Sequence, residues 1–289
     1  MKGMWAEYLP ECGRCGANKI GKTWFQKADK AVDVVVFVPE TSILKSYAEK
    51  IPTFLSSMAE SLGESKFSFR FGVVGFGGRL THKGPHAITL DGQLMNDIDS
   101  VEDAFEHLKF SNGDSDNDSS NALEAMAYAA YNYPFRPAAT KIFLLLTSTD
   151  RHPMADFASL ESIGSMLESK DIILNVIGKY RKFRGEVIGQ NFRGNVYYRK
   201  RPEVGLGTAT LPEGEYVSLM KSTQGSVFGL PFLGSDDKDK FGALQQASVS
   251  AWKEQIKRDQ YACKECFCAR GDAGQGKTIC KKNSFHTKC

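Results

Sequence analysis

The fold is decided by a short stretch that reads Val32-Asp33-Val34-Val35-Val36-Phe37-Val38. Such an almost unbroken run of β-branched residues is too short to span a membrane, and it is typical of a strand buried on both faces of a parallel sheet. Glu40, Thr41 and Ser42 follow at its carboxyl end. Ligands of open α/β sheets bind at that edge, so these three side chains are the first candidates for a functional site.

Strand and helix patterns alternate along the next two hundred or so residues. Apolar residues recur at spacings of three and four from Ile43 to Leu62, which predicts one helix with Ser42 as its N-cap. Further strands are predicted at residues 67–76, 86–90, 142–147, 172–177 and 226–230, and further helices at 98–108, 122–133, 157–167 and 241–256. The alternation predicts an α/β fold with a doubly wound, mainly parallel sheet, helices on both faces and right-handed crossovers.

Composition excludes several classes of protein. The 289 residues are 42% apolar and 25% charged, as in ordinary globular proteins. The sequence has no apolar run of the roughly 18 residues that a transmembrane helix needs. Its first residues lack the apolar core of a signal peptide. The net charge of +3 is too small to indicate nucleic-acid binding, so an argument for an anionic partner must rest on local clustering of charge.

The cysteines are confined to the two ends of the chain. They are Cys12, Cys15, Cys263, Cys266, Cys268, Cys280 and Cys289. Their distribution divides the chain into a lead-in of residues 1–29, a body of residues 30–260 and a Cys-rich tail of residues 261–289. Disulfide bonds stabilise short segments that lack a core and indicate an extracellular location. Since seven cysteines cannot all pair, one thiol is free or bonded to another chain.

The pairing of these cysteines stays open. In a doubly wound domain both ends of the body can leave the sheet at the edge opposite the binding edge, which predicts a bridge from Cys12 or Cys15 to the tail. The alternative is a four-thiolate zinc site in which the Cys-x-x-Cys pairs at 12–15 and 263–266 meet.

The order of segments over residues 30–260 resembles a von Willebrand factor type A domain. The resemblance rests on Asp-Val-Val-Val-Phe-Val at 33–38 with Glu-Thr-Ser at 40–42, Phe-Gly-Val-Val-Gly-Phe-Gly-Gly at 71–78, the helix entry at 118–123 and Lys-Ile-Phe-Leu-Leu-Leu-Thr at 141–147. It implies a Rossmann-like fold and a non-enzymatic extracellular module for adhesion to a protein or matrix component. The tail is similar to part of a von Willebrand type C module. The alternative within this class is a scaffolding domain of a large secreted matrix, lipoprotein or clotting-type protein.

Many type A domains bind ligand through a metal ion held by the motif Asp-x-Ser-x-Ser. Here the motif falls on Glu40, Ser42 and Leu44, and of these only Ser42 matches. The other ligands implied by the resemblance align with Asn117, or with Ser119 as a slipped alternative, and with Ser148, leaving Asp150 two residues away. Magnesium requires a nearly octahedral shell of oxygens, so this set predicts weak or no metal dependence. The acidic run at 114–118 resembles the opening of a calcium loop but lacks its later ligands, and calcium is the alternative to magnesium.

A basic stretch lies between the predicted strands at 172–177 and 226–230. Its cations are Lys179, Arg181, Lys182, Arg184, Arg193, Arg199, Lys200 and Arg201. Five aromatic residues alternate with them, and Glu186 is the carboxylate that opposes them within the stretch. This pattern predicts a surface for polyanions such as sulfated glycans or anionic lipids. The alternative is a solvated charged hairpin without a ligand.

Two further motifs lie outside the body. Arg270-Gly271-Asp272, between Cys268 and Cys280, is the triplet that integrin-type receptors recognise when a closed loop presents it. The P-loop pattern occurs at residues 16–23 and 271–278, but neither match follows a buried strand or opens a helix. A nucleotide-binding enzyme is therefore the less favoured alternative. The histidines form neither a metal-spaced pair on a helix nor part of a Gly-x-Ser-x-Gly elbow, so no enzymatic activity is predicted.

Overall fold

A computed structural model describes residues 31–63, 67–77, 84–89, 92–111, 122–136, 139–148, 159–183 and 185–260, and the backbone of 266–270 and 278–282. Within the body, side chains are described except at residues 201–208 and 260. Among the described residues, no helix combines the length and the apolar character that crossing a bilayer requires.

A nine-stranded sheet forms the centre of the molecule. Its strands are β1 (Ala31–Pro39), β2 (Ser68–Phe76), β3 (His86–Ala87), β4 (Thr140–Thr147), β5 (Ile172–Gly178), β6 (Val187–Asn191), β7 (Asn195–Tyr198), β8 (Arg201–Thr208) and β9 (Ser226–Gly229). They lie in the order β3-β2-β1-β4-β5-β9-β6-β7-β8. Strands β2, β1, β4, β5 and β9 are mutually parallel, and β3 and β6 to β8 pair antiparallel. The predicted α/β class with a mainly parallel sheet is confirmed.

Helices cover both faces of this sheet. They are α1 (Lys45–Ala48), α2 (Ile51–Gly63), α3 (Ile98–Glu106), α4 (Ala122–Asn132), α5 (Leu160–Ser169), α6 (Glu215–Ser222), α7 (Leu230–Leu233) and α8 (Lys238–Gln260). On one face α2 packs between α3 and α8, and on the other α4, α5 and α6 pack in a row. Every residue of β1 is buried, so the core lies around this strand.

The first helical segment differs from its prediction. The chain forms a 3₁₀ turn at Ser42–Leu44, then α1 and α2, instead of one helix from Ile43 to Leu62. Pro52 has no N–H to continue the hydrogen bonding, so it stands at the start of α2. Ser42 as N-cap is also wrong: Thr41 occupies that position, without a side-chain cap hydrogen bond. Ile43 is consequently 40% exposed.

The basic stretch also has more structure than predicted. β6 pairs antiparallel with β9 and extends the sheet by three strands, and α6 was not predicted at all. The strand predicted at 86–90 is reduced to β3. Local hydrophobic patterns did not indicate the extension because its pairing partner, β9, lies more than thirty residues further along the chain.

The two ends of the body lie at one edge of the sheet. Ala31 begins β1. Near the end of α8, Asp259 accepts a 2.6 Å hydrogen bond from the hydroxyl of Thr140, the first residue of β4. Both points are at the amino edge of the parallel strands, as the predicted bridge between lead-in and tail requires. The bridge itself stays a prediction.

A buried carboxylate stabilises the same edge. Asp33 of β1 has no exposed surface and accepts hydrogen bonds from Arg70 at 2.8 and 3.0 Å. Arg136 contributes its backbone N–H at 2.7 Å and its Nε at 2.9 Å. Burial alone would raise the pKa of the Asp33 carboxyl, but these hydrogen bonds outweigh it and lower the pKa below its usual value. The cluster joins β1, β2 and the segment before β4.

We expect Asp33→Asn to lower the free energy of unfolding by about 2–3 kcal/mol at pH 7, because it leaves two guanidinium groups without their anion. The loss is moderated because both guanidinium groups are partly exposed to solvent. A group whose pKa is lowered by folding stabilises at pH values above its unfolded pKa and loses that contribution as the pH falls through the folded pKa. The difference between wild type and variant should therefore shrink below about pH 4. Urea denaturation measures it, with the exposed Asp103→Asn as control. A constant difference down to the acid limit would contradict this account.

Candidate functional site

Glu40 lies at the carboxyl edge of the sheet, immediately after β1, and is 0% exposed. Its backbone N–H donates to the Phe76 carbonyl at 2.8 Å, and its carbonyl accepts from the Ser111 N–H at 2.9 Å. Oε1 accepts a 2.7 Å hydrogen bond from the backbone N–H of Lys109. The predicted site residue is therefore held by both its backbone and its carboxylate.

His86 supplies the positive charge for this carboxylate. Its Nε2 lies 3.4 Å from Oε2 of Glu40, and its Nδ1 lies 3.2 Å from the carbonyl of Gly84. The hydrogen bond to Glu40 raises the pKa of His86 above its usual value, although burial opposes the shift. Folding thus favours the imidazolium form, which makes an ion pair with the Glu40 carboxylate whenever His86 is protonated.

Gly75 leaves the space that this pair occupies. A Cβ at this position would lie 2.9 Å from Cε1 of His86 and 3.0 Å from Cδ of Glu40. Any larger residue at position 75 would therefore displace one of the two side chains. In the sequence, the only sign of this space is the glycine at position 75 within a predicted strand. His86 was not among the predicted site residues.

The described part of the metal motif does not fit a divalent cation. Both oxygens of Glu40 face protein donors, and Leu44 is a fully buried apolar residue where the motif requires a hydroxyl. Ser42 lies in the 3₁₀ turn. Asn117, Ser119 and Asp150 lie outside the described residues. Among the described residues, no group of three His, Cys, Asp or Glu side chains could hold a metal.

Two buried hydroxyls lie beside Glu40. Thr41 Oγ1 and Ser111 Oγ have no hydrogen-bond partner among the described residues, although both residues are almost fully buried. A buried hydroxyl without a partner is destabilising, and small polar cavities often satisfy such groups with water. The edge of the sheet around Glu40 is thus polar, although neither hydroxyl belongs to the metal motif.

The basic stretch contributes a second feature at the carboxyl edge. Residues 179–183 follow the end of β5, and residues 199–200 form the turn between β7 and β8. Because β7 runs antiparallel to β6 and β6 antiparallel to β9, this turn lies at the same edge as the end of β5. We call the exposed cations there the basic edge cluster. Its members are Lys179, Arg181, Lys182 and Lys200.

Aromatic side chains fix this cluster. Tyr180 and Phe183 are buried, and their rings pack edge to face at 5.6 Å. They fill the space left by the glycines that end β5 and β9. A Cβ on Gly178 would lie 2.6 Å from the Tyr180 ring, and one on Gly229 would lie 2.8 Å from Cβ of Phe183. The cations of the 179–182 segment are therefore mounted on a segment that is anchored to the core.

The other predicted cations fall elsewhere. Arg199 lies 3.8 Å from Asp237 and 4.0 Å from Asp239, so carboxylates from outside the stretch face it in addition to Glu186 within the stretch. Arg193 lies in the turn between β6 and β7, at the amino edge. There Arg193 and Arg258 both contact the Phe192 ring, at 5.0 and 4.7 Å from its centre. Arg184 and the side chain of Arg201 lie outside the described residues.

The tail is described only in its backbone. β10 (Cys266–Arg270) and β11 (Thr278–Lys282) pair antiparallel, with Cys268 opposite Cys280. Cys12, Cys15, Cys263 and Cys289 lie outside the described residues, as do Gly271 and Asp272 of the integrin-type triplet. The predictions for disulfides, zinc and the triplet remain predictions.

Comparisons with known proteins give only distant likenesses. No protein-family model and no curated protein matches the chain. Proximal thread matrix protein 1 from the mussel byssus matches at 14% identity over 78% of this chain and 47% of its own, with a TM-score of 0.45. The conserved hypothetical protein BatB from Bacteroides thetaiotaomicron matches at 14% identity over 78% and 99%, with a TM-score of 0.46.

Another structure of the mussel protein, in which zinc occupies the metal-ion-dependent adhesion site (MIDAS) motif, matches at 13% identity with a TM-score of 0.45. This chain spans about half of the length of the mussel protein, 47%. The assignment of the fold rests on the strand order described above and not on these likenesses.

We expect His86→Ala to remove a pH-dependent part of the stability. Because folding raises the pKa of His86, the ion pair stabilises fully below the unfolded pKa of about 6.5 and loses this contribution as the pH rises through the folded pKa. At pH 6 the variant should lose about 1–3 kcal/mol, since it leaves a buried carboxylate with one partner fewer. Urea denaturation between pH 5.5 and 9 measures both effects, with the exposed His107→Ala as control. A loss that grows with rising pH would reverse the assignment.

We also expect magnesium or manganese to leave the melting temperature unchanged. A cation that binds the folded state must raise apparent stability in a saturable way, and the described ligands do not fit one. Differential scanning fluorimetry with and without chelator measures this. A saturable rise that Ser42→Ala abolishes would show that the motif binds metal. Ser42 is the better test, because changing Glu40 also removes structural hydrogen bonds.

Proposed function

We propose that this chain is a non-catalytic extracellular binding module that engages polyanionic partners through the basic edge cluster, without requiring a metal ion. The proposal combines a surface that the fold presents with the type of function that the von Willebrand type A resemblance implies. Sulfated glycans are the partner class that we favour.

One observation carries the proposal: the basic edge cluster is exposed and free of carboxylate partners among the described residues, and three of its four cations stand on a segment that buried aromatic rings anchor to the core. Lys179, Arg181, Lys182 and Lys200 make no ion pair with described residues, whereas Arg199 does. Neighbouring strands lie about 4.8 Å apart, so the ends of β5 and β7, three strand spacings apart, are about 14 Å from each other. One linear polyanion can place several of its charged groups along that span. Because the buried aromatic rings already hold the 179–182 segment in place, the segment loses less conformational entropy when a ligand binds.

The ion pair at Glu40 supports the metal-independent form of binding. In the type A resemblance, a metal at this position carries the positive charge that attracts an acidic group of the ligand. Here the Glu40 carboxylate already faces the His86 ring and the backbone N–H of Lys109, and the Glu40 carbonyl accepts from the N–H of Ser111. Attraction of an anion then depends on the side-chain cations of the cluster, which stand along the same edge of the sheet.

We expect Lys179→Ala/Arg181→Ala/Lys182→Ala to weaken binding to heparin by at least about tenfold at physiological salt, because exposed charges attract over only about 8–10 Å. Wild-type binding should also weaken steeply as salt is raised. Isothermal titration or retention on a heparin column measures both effects.

The control is Lys45→Ala/Lys221→Ala/Lys253→Ala, which removes the same charge from exposed positions outside the cluster. Equal losses in the two triple variants would show that net charge, and not this surface, binds heparin. Binding that salt does not affect would remove the electrostatic basis of the proposal.

A further inference from the structure

A groove of about 620 Å³ lies between the α1–α2 segment and the end of α3. Its floor is apolar and includes Ala48, Phe105 and Phe110. Ala48 is buried, and Phe105 and Phe110 are half-buried. The groove is distinct from the Glu40 site, since no side chain of the Glu40–His86 pair lines it.

The rim of this groove is acidic. Glu49, Glu102 and Glu106 line it, all exposed, and none makes an ion pair with a described residue. Lys45 is the cation on the described rim. Three carboxylates against one ammonium give the rim a negative charge. An apolar floor inside such a rim fits an aromatic side chain flanked by cations, and it excludes an acidic partner.

The groove opens beside the carboxyl edge of the sheet. The segment that leaves α3 along the groove reaches Lys109 and Ser111, whose backbone N–H groups donate to Glu40 at the end of β1. The basic edge cluster occupies the same edge on the other side of β1, beyond β4. The acidic and basic surfaces therefore flank the centre of one edge.

The basic surface carries the matching aromatic group. Tyr198, the last residue of β7, is 38% exposed and precedes the turn that presents Lys200. It is one of three large hydrophobic side chains that are exposed among the described residues. Tyr198 thus presents an aromatic ring at the end of β7, and Lys200, which makes no ion pair with a described residue, presents a cation on the turn that follows.

We propose that the acidic groove binds the Tyr198–Lys200 turn and the basic edge cluster of a second copy of this chain. A two-fold axis through the carboxyl edge places each groove against the basic surface of the other copy, so one closed dimer satisfies both contacts. The interface is electrostatic and modest in size, so the association is weak and sensitive to salt. This inference uses the same cluster as the proposed function but does not depend on polyanion binding.

Sedimentation velocity of the full chain tests the dimer. The sedimentation coefficient should rise with protein concentration at about 50 mM salt and return to the monomer value at about 500 mM, where screening shortens the reach of the charges. A monomer at every concentration and at low salt would overturn the proposal. So would a dimer that persists at high salt, or one that a non-reducing gel shows to be disulfide-linked.

Charge reversal locates the interface. Glu102→Lys/Glu106→Lys, the groove variant, and Lys182→Glu/Lys200→Glu, the cluster variant, should each weaken self-association at least tenfold. An equimolar mixture should associate again, because the basic cluster of one then meets the acidic groove of the other, and the reversed cluster meets the reversed groove. Failure of the mixture to associate would overturn the proposed contact.

Two controls separate the outcomes. Glu161→Lys/Glu168→Lys changes the same charge on the exposed surface of α5 and should associate as wild type does. Unchanged melting temperatures establish that the variants are folded. The groove variant should keep heparin binding, and the cluster variant should lose it. Loss of the dimer while heparin binding is retained would thus be distinguished from failure of polyanion binding. Heparin should also compete with dimerisation of the wild-type chain.

Discussion

The burial of β1 at the centre of the sheet is the constraint on which the rest of the structure depends. The strand carries a carboxylate near its start, Asp33, and is followed by another, Glu40, and neither has any exposed surface. A buried charge is tolerated only with a partner and hydrogen bonds. The chain therefore brings two guanidinium groups to one end of the strand and an imidazole to the other.

These two solutions give the edges different properties. Arginine stays charged at every accessible pH, so the Asp33 cluster links β1, β2 and the segment before β4 at every pH at which the Asp33 carboxyl is ionised. Histidine titrates near neutrality, so the charge balance at Glu40 depends on conditions. The ionic bonding at the amino edge thus stays constant around neutral pH, whereas the ion pair at the carboxyl edge titrates there. The carboxyl edge also carries the exposed basic and acidic surfaces.

The sequence predicted those parts of the fold that depend on local patterns. The apolar run of β1 and the position of Glu40 at its end follow from residue order alone. The partners of Glu40 do not, because His86 and Lys109 are brought there by the pairing of β3 with β2 and by the segment after α3. The basic stretch shows the same limit. Its cations are visible in the sequence, but only the antiparallel extension beyond β9 separates Arg193 from Lys200 and brings Arg199 to Asp237.

Net charge is a poor guide to what this edge can bind. The value of +3 averages a rim of three carboxylates and a cluster of four cations, on either side of the same strand, and none of these groups makes an ion pair with a described residue. Since screening limits exposed charges to about 10 Å, a partner meets each surface separately. Because Glu40 already pairs with His86, these two surfaces determine which charged partners bind at this edge. Each surface is complementary to the other, so any polyanion that covers the cluster also removes the surface that a second copy would occupy.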